Sequence, residues 1–173
     1  MEKVILVDRN DVPHGQMEKL EAHKKGLLHR AFSVFIFNSN NELLLQQRSK
    51  GKYHSAGLWT NTCCSHPRVG ENNLDAANRR LDEEMGMTCD LKYAFNFLYK
   101  ADFEDGLTEH EFDHVFMGYS DVEPVINNDE VERFRYINLE SLKKDIKLNP
   151  DRYTSWLKIC LDKVVEHISK INK

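Results

Sequence analysis

Short apolar runs and alternating apolar and polar positions recur along this chain and predict β-strands. The turn sequence NSNNE separates two of these segments, 32–37 and 42–48, which we expect to pair as antiparallel neighbours. A turn carrying Pro13 and Gly15 is expected after the first strand. The predicted strands cover residues 3–8, 32–37, 42–48, 89–101 (ending near Tyr99) and 107–120, with one more inside 122–142.

A second pattern, with apolar residues three and four positions apart, predicts helices. The clearest helix begins at Asn72 or Asn73, either of which is a good N-cap, and ends at Gly86. Arg80 and Glu84 are four residues apart on a different face of this helix. Its apolar stripe consists of Leu74, Ala77, Leu81 and Met85.

The same spacing continues from Arg152 onward and predicts a closing amphipathic helix. A short helix or loop is expected over residues 17–23, and Gly26 breaks the segment that follows. This mixture of antiparallel strands and few helices favours an α/β or α+β sandwich. The apolar positions of the closing helix are Tyr153, Trp156, Leu157, Cys160, Val164 and Ile168.

Composition narrows the class of protein. A chain of 173 residues, 40% hydrophobic and 30% charged, fits one globular domain over residues 1–173. Its net charge of −4 gives no indication of a nucleic-acid or membrane partner. The chain has neither an apolar run of roughly 20 residues nor an export pattern at its start. We therefore expect a cytoplasmic protein that is a monomer or a weak dimer.

Imidazoles and carboxylates at several positions predict a metal site. Glu109, Glu111 and Asp113 share one face of a predicted strand, where three acids would repel each other unless a cation is bound. Three imidazoles with two carboxylates suit a divalent first-row ion. The alternative is that the eight histidines of this chain are scattered surface residues. The proposed ligands are His23, His29, His66, Glu109 and Glu111.

Two adjacent cysteines raise the question of a reactive thiol. Cys64 lies two residues from His66 in a loop before the helix, where a nearby cation would favour its thiolate. Because neighbouring residues of an extended chain face opposite ways, we expect Cys63 to pack inward. The alternative is that both are small buried hydrophobic residues. With Cys89 and Cys160 far away, the cysteines form no disulfide framework.

Basic and aromatic residues supply a candidate anion site and a candidate cation-stabilising wall. Glu84 could meet a bound phosphate through Mg²⁺, which often binds one carboxylate plus substrate phosphates. Trp156 could face a carbocation. The alternatives are an exposed Arg80–Glu84 pair and ordinary core packing of the aromatic residues. The basic candidates are Arg48, Lys52 and Arg80, with Lys19 as a further one.

Four sequence features together resemble a known family. They are the string TNTCCSHP at 60–67, EHE at 109–111, RRLDEEMG at 79–86, and the preceding His23 and His29. This set is similar to type 1 isopentenyl-diphosphate delta-isomerase, a member of the Nudix superfamily. Ser65 and Arg80 stand where a Nudix hydrolase has the opening glycine and a glutamate of its box, so the hydrolytic acid set is incomplete.

The resemblance implies a single domain with a mixed β-sheet sandwiched between helices, and a 1,3-proton shift that converts isopentenyl diphosphate to dimethylallyl diphosphate. It also implies that Cys64 and Glu111 are the paired acid and base, assisted by Tyr99, and that Trp156 faces the cationic carbon. One Mn²⁺, Zn²⁺ or Mg²⁺ would bind the three histidines and two glutamates, and Glu84 would hold Mg²⁺ with the diphosphate.

Two other classes remain open on the sequence. A Nudix-type diphosphate hydrolase would need a fuller acid set in the helix that contains Arg80. In a metal-stabilised binding module without catalysis, the thiol of Cys64 and the acids on the strand face would have no function. Neither alternative explains the thiol and the acids as well as the isomerase does.

Overall fold

Strand β3 (His29–Phe37) lies at the centre of the fold, and every residue of it except Arg30 is buried. A near-continuous apolar run of this kind suits a strand that is covered on both faces. In this computed structural model, residues 2–103 and 105–171 are described. The remaining elements of that part of the chain are β1 (Lys3–Val7), β2 (Pro13–Glu18), α1 (Lys19–Lys25), β4 (Glu42–Arg48), β5 (Trp59–Thr60), β6 (Cys63–Ser65), α2 (Asn73–Met85), β7 (Lys92–Asp102), β8 (Thr108–Tyr119), β9 (Val131–Asn138), α3 (Leu139–Leu148) and α4 (Ser155–Ile171).

The strands form one mixed sheet in which β3 has neighbours on both sides. β3 runs parallel to β8 along its full length, from the pair His29 and Glu111 to the pair at 37 and 119. β6 pairs antiparallel with β3 and places Cys64 opposite Ser33. β7 pairs antiparallel with β8 and places Tyr99 opposite Glu111. Residues far apart in the sequence are therefore brought side by side.

Alternation along β3 divides the core between the two faces of the sheet. Phe35 faces the cluster that contains Trp156 and Leu157 of α4. Val34 faces the cluster that contains Ala77 and Leu81 of α2. A mixed sheet with a helix packed on each face is the α/β sandwich that the sequence analysis predicted.

Helix α2 begins and ends as predicted. The side chain of Asn72 accepts a hydrogen bond from the backbone of Asp75 at 2.9 Å, and Gly86 caps the C-terminus with φ of 59°. Leu74, which was expected in the apolar stripe, is instead exposed. Although its angular position is right, it lies in the first turn, before the packed region that begins at Ala76.

The turn expected around Pro13 and Gly15 was wrong, because both residues belong to strand β2. The chain reverses earlier, where Asp8 accepts hydrogen bonds from the backbone of Asn10 and Val12. Proline is tolerated as the first residue of a strand, where no backbone donor is required.

Two other expectations need correction. β3 and β4 pair antiparallel only at Phe37 and Leu43, and they then separate as β6 takes the adjacent edge of β3. Tyr153 precedes the closing helix, which begins at Ser155 after a 3₁₀ turn at Pro150–Arg152. Within the described residues, no helix combines the length and the apolar character that crossing a membrane would require.

Candidate active site

One cavity of about 610 Å³ collects most of the predicted site residues. It opens between the N-terminal strands, the β4–β5 loop, α2 and the β7–β8 pair, and its wall includes the start of α4. His23 and His29 do not line it but lie behind His66, with ring centroids 5.8 and 5.1 Å from that imidazole. The predicted residues along the wall are Lys19, Arg48, Lys52, Cys64, His66, Arg80, Glu84, Tyr99, Glu109, Glu111 and Trp156.

Three imidazoles and one carboxylate converge at the side of this cavity where His66 and Glu111 line it. His23, His29, His66 and Glu111 each offer one donor atom, and these four atoms lie within 4.8 Å of one another. Nε2 of His66 is 3.0 Å and Nε2 of His29 is 3.4 Å from Oε1 of Glu111. Glu109 is not part of this group of four.

The outward-facing nitrogens of two of these imidazoles have partners of their own. Nδ1 of His29 donates to the carbonyl oxygen of Leu27 at 2.8 Å, and Nδ1 of His23 is 2.8 Å from the hydroxyl oxygen of Tyr53. The Nε2 atoms of the two rings consequently face each other at 3.2 Å. Lone pairs directed at a common point, with Nδ1 occupied elsewhere, are what a divalent ion needs from histidine. These residues therefore fit the metal that the sequence analysis predicted.

Glu109 and Glu111 are joined through Tyr99. The Tyr99 hydroxyl is 2.6 Å from Oε2 of Glu111 and 3.0 Å from Oε2 of Glu109. Burial raises the pKa of Glu109 well above its usual range, and the Glu111 carboxylate raises it further. Burial also acts to raise the pKa of Glu111, but the adjacent His29 and His66 imidazoles outweigh it and hold that pKa well below its usual range. Two neighbouring buried carboxyls favour a shared proton or a bound cation.

The two cysteines face opposite sides of the sheet, as expected. Cys63 is fully buried in the α2-side cluster. Cys64 packs against the α4-side cluster and lines the cavity. Burial raises the pKa of the Cys64 thiol, although Arg48 acts in the opposite direction. The Cys64 thiol and the Glu111 carboxyl thus share the wall of the cavity, and their pKa values are shifted in opposite directions.

The wall of the cavity also carries the predicted basic residues. Arg48 is only 8% exposed, and its Nε has no hydrogen-bond partner among the described residues. Arg80 contacts both Glu84 and Glu130, and Glu130 also pairs with Lys52. Burial opposes the charge of Arg80, but Glu84 and other neighbours raise the pKa of its guanidinium. The charges of Arg80 and Lys52 are thus paired with carboxylates in this structure.

Glu84 and Trp156 are held rigidly. Gln46 donates to Oε2 of Glu84 at 2.7 Å, and Glu84 is 3% exposed. The indole Nε1 of Trp156 donates to Oδ1 of Asn61 at 3.2 Å. The guanidinium of Arg48 lies 5.3 Å from the centroid of the Trp156 ring. The indole therefore already faces one cation, besides lining the cavity.

Sequence reasoning missed several residues of the site. Tyr53 and His54 enter it from the basic loop after β4, and no periodic pattern marks a loop residue as part of a site. Asp113 was noted only as one of three acids on a strand face. It is buried, and Ser33 donates to its Oδ2 at 2.8 Å. The signal that could have identified it is the EHEFD alternation itself, which places a third acid on the site face.

Comparison with known proteins identifies the class of this fold. A profile of the NUDIX domain matches residues 27–157. The protein DR0079 from Deinococcus radiodurans shares the fold with a TM-score of 0.78 at 18% identity, over 94% of this chain and 98% of that one. The MutT protein from Methanosarcina mazei Go1 does so with a TM-score of 0.67 at 18% identity, over 84% and 96%.

The relatives with higher sequence identity share one enzyme name. Isopentenyl-diphosphate Delta-isomerase 2 from Aromatoleum aromaticum is 52% identical over 95% of this chain and 87% of that protein. Isopentenyl-diphosphate Delta-isomerase from Pectobacterium atrosepticum is 48% identical over 95% and 92%. The chain belongs to the type 1 isopentenyl-diphosphate delta-isomerases of the Nudix superfamily.

Proposed function

We propose that this protein interconverts isopentenyl diphosphate and dimethylallyl diphosphate, and that Cys64 and Glu111 carry the two proton transfers. The observation that carries the proposal is the shared cavity, whose wall holds the thiol of Cys64, the histidine-held carboxylate of Glu111 and the guanidinium groups of Arg48 and Arg80. A short hydrocarbon attached to a diphosphate matches a cavity that combines buried acid and base groups with basic side chains.

The reaction moves one double bond by one position. A proton adds to the terminal CH₂ carbon of isopentenyl diphosphate, which leaves a tertiary cation at the adjacent carbon. Loss of a proton from the carbon on the other side of the cation forms the internal double bond. Cys64 and Glu111 are the acid and base of these steps, so one ends the cycle without a proton and the other with an extra one, and a proton must pass between them before the next turnover.

Other residues hold the reacting groups and exclude water. The Tyr99 hydroxyl, 2.6 Å from Glu111, fixes the carboxylate on the substrate side. Trp156, 2% exposed, presents an aromatic wall that stabilises a developing cation in a dry site. Water would trap the cation, so burial of Tyr99 and Trp156 is part of the function.

His23, His29, His66 and Glu111, with Glu109 as the fifth ligand, would hold one Zn²⁺, Mn²⁺ or Mg²⁺. Such an ion neutralises the buried carboxylates and fixes the position of Glu111 when bound. Arg48, Lys52, Arg80 and Lys19 would bind the diphosphate, and Glu84 would hold a Mg²⁺ ion that neutralises part of the diphosphate charge. A cytoplasmic location and a monomer or weak dimer remain predictions.

The test uses the two adjacent cysteines as a matched pair. Purified protein is incubated with isopentenyl diphosphate and Mg²⁺, and the allylic product and released phosphate are measured. We expect Cys64→Ala to abolish isomerisation with near-normal metal content, and Cys63→Ala to remain active. An active Cys64→Ala ends the catalytic assignment, and an inactive Cys63→Ala beside it would mean that the other thiol was the catalyst. Phosphate release without isomerisation would instead support a hydrolase.

A further inference from the structure

The loop over residues 49–58 covers the cavity and is fixed at its base. The backbone amides of Gly57 and Arg48 donate to the carbonyl oxygens of Arg48 and Leu58 at 3.0 and 2.9 Å. The Arg48 guanidinium donates to the carbonyl oxygen of His54 at 3.2 Å. Because both ends and the middle are tied to β4, the side chains of this loop have defined positions over the cavity.

Tyr53 carries the first of two contacts that this loop makes with the metal site. Its hydroxyl oxygen lies 2.8 Å from Nδ1 of His23, which is 30 residues earlier in the chain. When that oxygen accepts the Nδ1 proton, Nε2 of His23 keeps its lone pair and points at His29, 3.2 Å away. The loop hydroxyl thus holds the His23 ring in the orientation that binds a metal, and it can accept the Nδ1 proton of the tautomer that this binding requires.

His54 carries the second contact, from the next residue of the loop. Its Nε2 lies 3.2 Å from Oε1 of Glu109, and its Nδ1 lies 3.3 Å from the Ser55 hydroxyl. A Ser55 hydroxyl that donates to Nδ1 leaves the single ring proton on Nε2, directed at Glu109. Tyr99 has one hydroxyl proton for two carboxylates, and it is closer to Glu111, at 2.6 Å, than to Glu109, at 3.0 Å. His54 supplies the donor that Glu109 would otherwise lack.

Three neighbouring aromatic rings also restrict the orientation of the His54 ring. Its centroid is 5.0 Å from that of Phe103 and 4.5 Å from that of Tyr53, and it meets Trp156 edge-on at 6.1 Å. A side chain held by three rings has little freedom to turn away from Glu109. Its position is therefore set independently of any bound ion.

We infer that Tyr53 and His54 are positioning residues, which orient His23 and Glu109 from the loop and thereby raise the affinity of the site for a divalent cation. The inference rests on the metal site of the proposed function, and it adds an external loop to that site. Outer partners of this kind typically change metal affinity by about 10- to 100-fold. The same loop carries Lys52, which lines the cavity and is a proposed diphosphate ligand. One loop therefore contributes to both the metal site and the diphosphate site of the proposed function.

The test is a Mn²⁺ titration of the metal-free protein, with the free ion counted by electron paramagnetic resonance. Tyr53→Phe removes one oxygen, and we expect it to weaken Mn²⁺ binding about tenfold. His54→Asn should weaken it similarly, because its amide reaches only the position of Nδ1. His54→Gln places an amide near the position of Nε2 and should bind as the unmodified protein does. Tyr93→Phe, at an exposed tyrosine, is the control.

Three outcomes of this titration decide whether Tyr53 and His54 raise the metal affinity. Weaker binding in Tyr53→Phe and His54→Asn, with recovery in His54→Gln, supports the inference. Unchanged binding in Tyr53→Phe or in His54→Asn removes that residue from the assignment, while His66→Ala, a proposed ligand, must still lose the ion. If His66→Ala also binds Mn²⁺ normally, the proposed metal site itself is wrong and the inference fails with it.

Discussion

Tyr99→Phe isolates the contribution of a single hydroxyl group. This hydroxyl donates to Glu111 at 2.6 Å and lies 3.0 Å from Glu109, and Tyr99 is 6% exposed. A hydrogen bond to a charged group contributes about 1.5–3 kcal/mol. Since about 1.4 kcal/mol corresponds to a tenfold change in rate, losing the position of the Glu111 carboxylate should lower kcat about 10- to 100-fold.

The assay follows dimethylallyl diphosphate formation at saturating substrate, with far-ultraviolet circular dichroism as the check on folding. KM should change little, because the proposed diphosphate contacts involve Arg48 and Arg80 rather than Tyr99. Tyr93→Phe serves again as the control, since its hydroxyl accepts from Asn96 at the surface. A folded Tyr99→Phe with kcat within about twofold of the unmodified protein would show that the Tyr99 hydroxyl does not position Glu111 for catalysis.

Three further predictions concern other parts of the molecule. His66→Ala should lose the tightly bound metal by elemental analysis, because it removes one of four converging donors; unchanged metal content would take His66 off the ligand set. Glu84→Gln should raise the Mg²⁺ concentration needed for half-maximal rate, and an unchanged Mg²⁺ titration would argue against its role. Leu81→Ala should lower the free energy of unfolding, measured in urea, by about 2–5 kcal/mol, because Leu81 is fully buried. Leu74→Ala, at the exposed end of α2, should lower it far less. Equal losses in the two variants would contradict the packing of α2 described above.

Local signals predicted the parts of the fold that depend on neighbouring residues. The cap at Asn72, the stop at Gly86 and the bounds of β4 follow from side-chain chemistry and periodicity, and the structure confirms them. The common face of Glu109 and Glu111 follows from the twofold alternation of a strand.

Contacts between distant segments could not be predicted in the same way. The parallel pairing of β3 with β8 puts His29 beside Glu111, and no local pattern specifies which strands will be neighbours. The same limit explains why His54 was missed, because it reaches Glu109 from an irregular loop. Leu74 shows the converse error, in which the correct helical angle did not guarantee a packing partner.

In the proposed reaction, Cys64 and Glu111 exchange protons with the carbons of an isopentenyl chain. The most direct measurement is incubation of the pure protein with isopentenyl diphosphate and Mg²⁺ in deuterated water, followed by nuclear magnetic resonance of the product. We predict deuterium on the methyl carbon that accepted the new proton, and no such label with Cys64→Ala. Unlabelled dimethylallyl diphosphate, or the same labelling with Cys64→Ala, would contradict the account.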